Sequence, residues 1–203
     1  MTAASRTAAR VLLALAGLAV LALPAVAVVT SGTATIDPLW TALRLASLEG
    51  FALILISILA GAWRPLLGRL FRPIAIQRLH RYGGVTGICL VIGHAVMLLV
   101  FGTVGYRPAF FWLGPVALGL LLVATATWVV RRGLRRSWRW IHRLNYLVFV
   151  VAVLHGANLG TDLQNGSWLR VWMVVCVVLA VLAFVYGAIR IVGKPSSHRH
   201  QDT

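Results

Sequence analysis

Four histidines have the residue type and the spacing for metal chemistry in this chain of 203 residues: His80, His94, His142 and His155. Relative to His80, His94 is at position i+14, and relative to His142, His155 is at position i+13. At a rise of about 1.5 Å per residue, the two members of each pair lie about 20 Å apart along a helix. Because neutral imidazole is a common metal ligand, this spacing indicates two ligand levels on each of two helices.

Apolar segments must position these histidines, because 60% of the residues are apolar and only 11% are charged. A soluble domain has about 45–50% apolar and about 25% charged residues, and the mean hydropathy here is +0.90. The composition argues against a soluble domain, a disordered chain and collagen. We expect an all-α fold, a polytopic membrane helix bundle of six transmembrane helices. The spans are predicted at residues 11–30, 45–63, 83–104, 111–130, 142–160 and 168–192.

The positively charged residues lie mostly between the apolar segments and at the termini, so the net charge does not indicate a nucleic-acid partner. The net charge is +15, and 16 of the 19 Lys and Arg residues lie at the termini and on alternate connections, on one side of the membrane. The positive-inside rule then predicts that both termini are cytoplasmic. With this topology the third and fifth helices run in the same direction. We expect a multi-pass protein of the cell inner or plasma membrane, with the lipid bilayer as its surroundings and no nucleic acid bound.

Parallel third and fifth helices place His80 level with His142, and His94 level with His155. Two opposed imidazoles at one level supply both axial ligands of a haem iron. The pattern therefore favours two haem groups, one near each membrane face, held by these four histidines. The alternative is a non-redox helix scaffold, in which the histidines bond to other helices or to backbone carbonyls.

The fifth helix fits this arrangement less well than the third helix. At about 100° per residue, an i+14 spacing returns to within about 40° of the same helix face, whereas an i+13 spacing misses it by about 140°. We therefore expect either a distortion of the fifth helix or a place for His142 on its fraying first turn.

Other residues near the histidines are candidates for contact with the cofactor. Arg78, Arg81, Arg139 and Arg143 flank the cytoplasmic pair, and we expect them to bind haem propionates unless they serve only as positive-inside anchors. Phe149 lies between the two histidines of the fifth helix and is predicted to fill the gap between the haems. Packing alone is the alternative role for this ring.

Small and acidic residues in the spans add further hypotheses. Gly83, Gly84 and Gly87 either let a flat macrocycle approach the third helix or, at Gly83 and Gly87, form a GxxxG helix contact. Glu49 is the only acidic residue inside a predicted span. It is a candidate for proton relay, for pairing with an arginine or for exposure at the membrane interface.

The two histidine motifs resemble the ferric-reductase-like transmembrane domain superfamily. The first motif is Arg78–Gly83 followed by His94, and the second is Trp140–Tyr146 followed by His155. The superfamily includes ferric reductases, NADPH oxidases and the haem-binding subunit of a periplasmic methionine-sulfoxide reductase. The resemblance covers roughly residues 45–190. It implies that these four histidine positions ligate two b-type haems.

This resemblance implies a transmembrane electron carrier. The donor would be a separate flavoprotein reductase or a quinol, because we expect no flavin or NAD(P)H domain at this chain length. The acceptor outside would be a ferric chelate, oxygen or an extracytoplasmic reductase. The short length is similar to the methionine-sulfoxide reductase subunit, whereas His80 is typical of the two-haem ferric-reductase type. Both interpretations remain open at this point.

The domain organisation follows from the same segments. Residues 1–44 are predicted to form an N-terminal helix and an outer loop, and residues 45–192 form the ferric-reductase-like haem-binding domain. Residues 193–203 form a polar cytoplasmic tail. The first apolar segment has the pattern of a secretory signal peptide, but its apolar run is long for one and favours a retained helix.

Overall fold

A computed structural model describes residues 2–30, 37–101, 109–134, 137–160, 163 and 168–192. Over those residues the fold is all-α and contains no strand. Six helical stretches are long and apolar enough to cross a membrane, which confirms the predicted multi-pass class. The predicted tail at 193–203 lies outside the described residues. The elements are α1 (Ala3–Thr30), α2 (Pro38–Ala62), α3 (Arg64–Leu67), α4 (Pro73–Phe101), a 3₁₀ turn (Ala109–Trp112), α5 (Leu113–Val129), α6 (Arg131–Leu134), α7 (Ser137–His142), α8 (Leu144–Leu159) and α9 (Trp168–Val192).

Most of the long helices begin earlier than the hydropathy pattern predicts, and two of them begin at a proline. α2 begins at Pro38, where the Asp37 side chain accepts hydrogen bonds from the backbone N–H groups of Leu39 and Trp40. Proline suits the first turn, because its missing N–H would have no partner there. α4 begins at Pro73 in the same way, well before the predicted start at residue 83. As a result, His80 lies inside a regular helix and not at its entrance.

The fifth span is interrupted next to a candidate ligand. α7 ends at His142, α8 begins at Leu144, and Arg143 lies between them. The backbone N–H of Arg143 donates to the carbonyl of Trp140 at 3.1 Å, which is the tighter i to i−3 pattern of a 3₁₀ turn. The fifth span is therefore distorted at the residue after His142, which is one of the two arrangements that the i+13 spacing predicts.

The helices pack as two antiparallel hairpins with two outer helices. α2 packs along α4, α5 packs along α8, and both α1 and α9 pack against α2. The main core lies among α2, α8 and α9, where Leu55, Phe149 and Trp172 are buried together. The indole N–H of Trp172 donates to the carbonyl of Val20 at 3.2 Å and so ties α9 to α1.

Glycines bring α2 and α4 close together. A Cβ on Gly87 would lie 2.9 Å from a side-chain carbon of Ile54 and 3.0 Å from the carbonyl oxygen of Gly50. A Cβ on Gly84 would lie 3.0 Å from the Ser57 hydroxyl, and Gly83 is buried near the carbonyl of Leu53. The structure therefore favours the helix contact over the macrocycle approach for these three glycines.

Candidate metal centre

One histidine of the third span contacts one histidine of the fifth span. His80 on α4 and His142 on α7 have ring centroids 6.0 Å apart and ring planes at 79°. His94 and His155 lie at the other level, where the described residues show no ring contact between them, and each is near enough for its charge to act on the other. His80 precedes His94 in the third span, and His142 precedes His155 in the fifth span. The two spans, and with them α4 and α8, therefore run in the same direction. We call His80 and His142 the arginine-side pair, and His94 and His155 the far-side pair.

The two pairs lie between the hairpins. Within the described part of the chain, α4 is not closely packed against α7 or α8, whereas each has a close partner in its own hairpin. The rings of His80 and His142 therefore meet across a gap between helices. Such a gap is where a helix bundle places a cofactor that side chains on facing helices hold.

In the first hairpin, carbonyls of α2 fix both histidines of α4. The Nδ1 atom of His80 lies 2.8 Å from the carbonyl oxygen of Ser57, and that of His94 lies 3.2 Å from the carbonyl oxygen of Leu43. Leu43 and Ser57 have the same i, i+14 spacing as His80 and His94. The antiparallel register of the hairpin therefore provides one carbonyl for each histidine.

The second hairpin repeats this arrangement. Nδ1 of His142 lies 3.4 Å from the carbonyl oxygen of Ala124, and Nδ1 of His155 lies 3.0 Å from that of Phe110. Phe110 and Ala124 again have the i, i+14 spacing, whereas their histidines have the i, i+13 spacing. The second hairpin is irregular at both ends, at Arg143 between α7 and α8 and in the 3₁₀ turn that contains Phe110, and both rings reach carbonyls on the α5 side.

These contacts determine the tautomer of all four histidines. A carbonyl oxygen only accepts hydrogen bonds, so each Nδ1 carries the proton and each Nε2 keeps its lone pair. No hydrogen bond to an Nε2 atom occurs among the residues that the structure describes. Metal-ligating histidines usually donate their second ring N–H to a carbonyl or carboxylate in this way.

The donor set fits two haems better than a cluster site. An imidazole nitrogen lies about 2 Å from a metal ion such as zinc, so two opposed ligands on one ion have ring centres roughly 6 Å apart. The 6.0 Å separation of His80 and His142 agrees with that geometry. The described residues contain no group of three or more His, Cys, Asp or Glu side chains that could hold a metal ion. Two protein ligands at each level are what an axially ligated haem requires.

Two glycines that the sequence analysis did not single out make room for the rings. A Cβ on Gly61 would lie 3.3 Å from Nδ1 of His80, and a Cβ on Gly114 would lie 2.8 Å from Cε1 of His155. Each glycine is at position i+4 from an orienting carbonyl, since Gly61 follows Ser57 and Gly114 follows Phe110. A ring bonded to that carbonyl leans over the next turn of the helix, where a side chain would obstruct it.

The arginines predicted to contact the cofactor lie at the end of the bundle next to His80 and His142. The Arg143 guanidinium lies 4.4 Å from the ring centre of Trp140, and that of Arg81 lies 5.6 Å from Trp128 on α5. Arg78 and Arg81 are exposed, and Arg143 is half-buried. None of these three forms an ion pair with a carboxylate in the described residues, so propionate binding stays a prediction that their surroundings permit.

Phe149 is part of the core between the two histidine levels. Its side chain is 3% exposed, and its ring stacks on Phe51 of α2 with centroids 4.6 Å apart. It lies almost midway along the chain between His142 and His155, so it is at an intermediate level on α8. A place between two haems stays a prediction for this residue, whereas its role in packing α8 against α2 is shown.

Two buried polar atoms lack a hydrogen-bond partner in the described structure: Oε1 of Glu49 and Oδ1 of Asn145. Glu49 lies in α2, between the turns that bear Leu43 and Ser57. Its side chain is half-buried, and proton relay, pairing with an arginine and interfacial exposure all stay predictions for it.

Comparisons with known proteins give no further guide to this site. The chain matches no protein-family model, no curated protein and no solved structure.

Proposed function

We propose that this protein is a transmembrane b-type cytochrome that carries electrons from a cytoplasmic donor to an acceptor outside. The observation that supports it best is the state of the four histidines. Each is bound through Nδ1 to a carbonyl of its own hairpin, and among the described residues no Nε2 atom has a hydrogen-bond partner. The Nδ1 contacts fit the scaffold alternative as well, whereas an Nε2 atom left without a partner is what a metal-ligating histidine offers.

In this proposal His80 and His142 hold one haem b, and His94 and His155 hold the second. When bound, each haem supplies one-electron redox chemistry. The protein fixes the ligand rings through the α2 and α5 carbonyls and surrounds them with apolar helices. Arg78, Arg81 and Arg143 neutralise propionates at the arginine-side level.

The proposed direction rests on the charge distribution. The arginine-rich ends of the spans face the cytoplasm by the positive-inside rule, so both termini are cytoplasmic and the far-side pair is near the outer face. The membrane is proposed to be the cell inner or plasma membrane. The donor is a separate flavoprotein reductase or a quinol, and the acceptor is a ferric chelate, oxygen or an extracytoplasmic reductase.

The proposed family is the ferric-reductase-like transmembrane domain superfamily. Within it, the presence and orientation of His80 favour the two-haem type over the haem-binding subunit of a periplasmic methionine-sulfoxide reductase, which often lacks a histidine at this position. That subunit is the second candidate within the superfamily.

An absorption spectrum tests the proposal directly. Protein purified from haem-sufficient cells should show a b-type spectrum on reduction with dithionite, with about two haems per chain. A colourless preparation would favour the non-redox scaffold and would contradict the proposal. One haem per chain would favour the single-haem subunit.

Single substitutions test the pairing across the gap. His80→Ala and His142→Ala should each remove or loosen the same haem, because each loses one of its two axial bonds. His94→Ala and His155→Ala should do so for the other haem. Four variants that all retain the full haem content and an unchanged spectrum would show that the histidines are not paired ligands.

A further inference from the structure

We propose that Ser57 is a positioning residue that lowers the midpoint potential of the arginine-side haem. This inference rests on the proposed function, since it concerns a ligand of one proposed haem. Ser57 is one of two buried polar residues recorded in the core, together with Thr127, and it is 7% exposed. A buried hydroxyl in a membrane helix is stable only when its hydrogen bonds are made.

Ser57 makes three contacts with His80. Its hydroxyl donates to the backbone carbonyl of His80 at 2.8 Å. Its hydroxyl oxygen also lies 3.1 Å from Nδ1 of His80, and its backbone carbonyl lies 2.8 Å from the same nitrogen. A hydroxyl has one proton, which here goes to the His80 carbonyl, so its oxygen accepts from Nδ1. The Nδ1 proton of His80 is therefore shared between two acceptors of one residue.

The other three histidines have weaker arrangements. His94, His142 and His155 each face one carbonyl, at 3.2, 3.4 and 3.0 Å. His142, the partner of His80, has the longest contact. Its acceptor, the carbonyl oxygen of Ala124, also accepts a hydrogen bond from the Thr127 hydroxyl at 2.7 Å. This second hydrogen bond weakens the one that the oxygen accepts from the ring. Ser57 thus distinguishes His80 from every other candidate ligand.

The shared proton has an electronic consequence for a bound iron. A stronger hydrogen bond from Nδ1 moves charge into the ring and makes Nε2 a more basic ligand. A more basic ligand stabilises the oxidised metal more than the reduced metal, so the midpoint potential falls. Since the other ligands have single acceptors, the effect is confined to the arginine-side level.

Spectroscopic redox titration of the purified protein tests this inference. In Ser57→Ala, one of the two midpoint potentials should rise and the other should not change. Ser57→Thr keeps the hydroxyl and should keep the wild-type value. Thr125→Ala is the matched control, because Thr125 donates at 2.8 Å to the Leu121 carbonyl, which no histidine uses. Repeating Ser57→Ala in a His155→Ala background identifies which haem has moved.

A second variant decides the matter if Ser57→Ala fails to bind haem. Gly61→Ala places a Cβ 3.3 Å from Nδ1 of His80 and pushes the ring away from Ser57 without changing the hydroxyl. The same potential should rise, and the electron paramagnetic resonance spectrum of that ferric haem should shift. Two bound haems with unchanged potentials in these variants would overturn the role of Ser57. Absence of haem from the wild-type protein would instead overturn the proposed function.

Discussion

At the scale of single residues, the site depends on backbone groups as much as on side chains. Each imidazole is oriented by a carbonyl that already belongs to a helix, and this carbonyl can accept a second hydrogen bond because it has two lone pairs. Since a main-chain oxygen is present whatever the side chain, substitution of Leu43 or Phe110 should leave the contact in place. Apart from the Ser57 hydroxyl, the residues that matter around the rings are therefore those that leave space for them.

Gly114→Ala should disrupt the far-side pair. The added Cβ would lie 2.8 Å from Cε1 and 3.1 Å from Nε2 of His155, so the ring must move away from its present position. We expect the haem content to fall from about two per chain towards one, measured as the haem-to-protein ratio. Gly119→Ala, on the same helix with open space around it, should retain both haems. A normal haem content in Gly114→Ala would show that His155 binds nothing in this orientation.

At this scale the sequence indicates the four candidate ligands but not the space around them. The i+14 and i+13 spacings are visible in one chain, because they depend only on helix rise and on the positions of the histidines. The roles of Gly61 and Gly114 depend on which helix faces which ring, and a sequence does not show that. The roles of Ser57 and the four carbonyls were missed for the same reason.

At the scale of elements, two hairpins of the same plan present the ligands. In each hairpin one helix supplies two carbonyls with an i, i+14 spacing, and its antiparallel partner supplies two histidines. The spans and their number are predictable from hydropathy, whereas their starts at Pro38 and Pro73 depend on polar and proline residues that hydropathy ignores. The break at Arg143 is predicted only as one of two alternatives. The mismatch of helical phase shows that the fifth helix departs from regular geometry, but it does not show at which residue.

The close contact of α2 with α4 should be a major determinant of stability. Gly87→Ala adds a Cβ 2.9 Å from Ile54 and 3.0 Å from the Gly50 carbonyl, and a backbone oxygen cannot move aside easily. We expect destabilisation by about 1–3 kcal/mol, as for other overpacked sites, seen as a lower Tm in detergent. Because α2 carries the carbonyls that orient His80 and His94, the spectrum of both haems should also broaden.

Gly17→Ala on α1 is the control for that experiment, because nothing lies within 4 Å of the added carbon. Its Tm should be unchanged or slightly raised, since alanine is a better helix former than glycine. An equal Tm for Gly87→Ala and the wild type would mean that α2 and α4 pack more loosely than the structure indicates.

At the scale of the whole molecule, the proposal is a path across the membrane. The two histidine pairs are separated by about 20 Å of helix rise, which is most of the roughly 30 Å hydrocarbon core. Phe149 and Phe51 stack at an intermediate level within the buried core. Many large apolar side chains, including Leu99 and Val129, are exposed on the outer surface of the bundle and are expected to face lipid. With lipid around this surface, the two ends of the bundle would be the places where electrons enter or leave.

Transfer in sided vesicles tests the whole path. A donor supplied at the arginine-rich face, such as a flavin reductase with its substrate, should reduce a membrane-impermeant acceptor on the other side. His94→Ala should abolish this transfer and leave the arginine-side haem reducible, because only the far-side pair has lost a ligand. Gly119→Ala should transfer normally. If an electron crosses without a proton, charge builds up at about 2.3 kcal/mol per 100 mV, so valinomycin with potassium should raise the sustained rate. Normal transfer in His94→Ala would exclude the far-side pair from the path and leave a single-haem subunit as the better account.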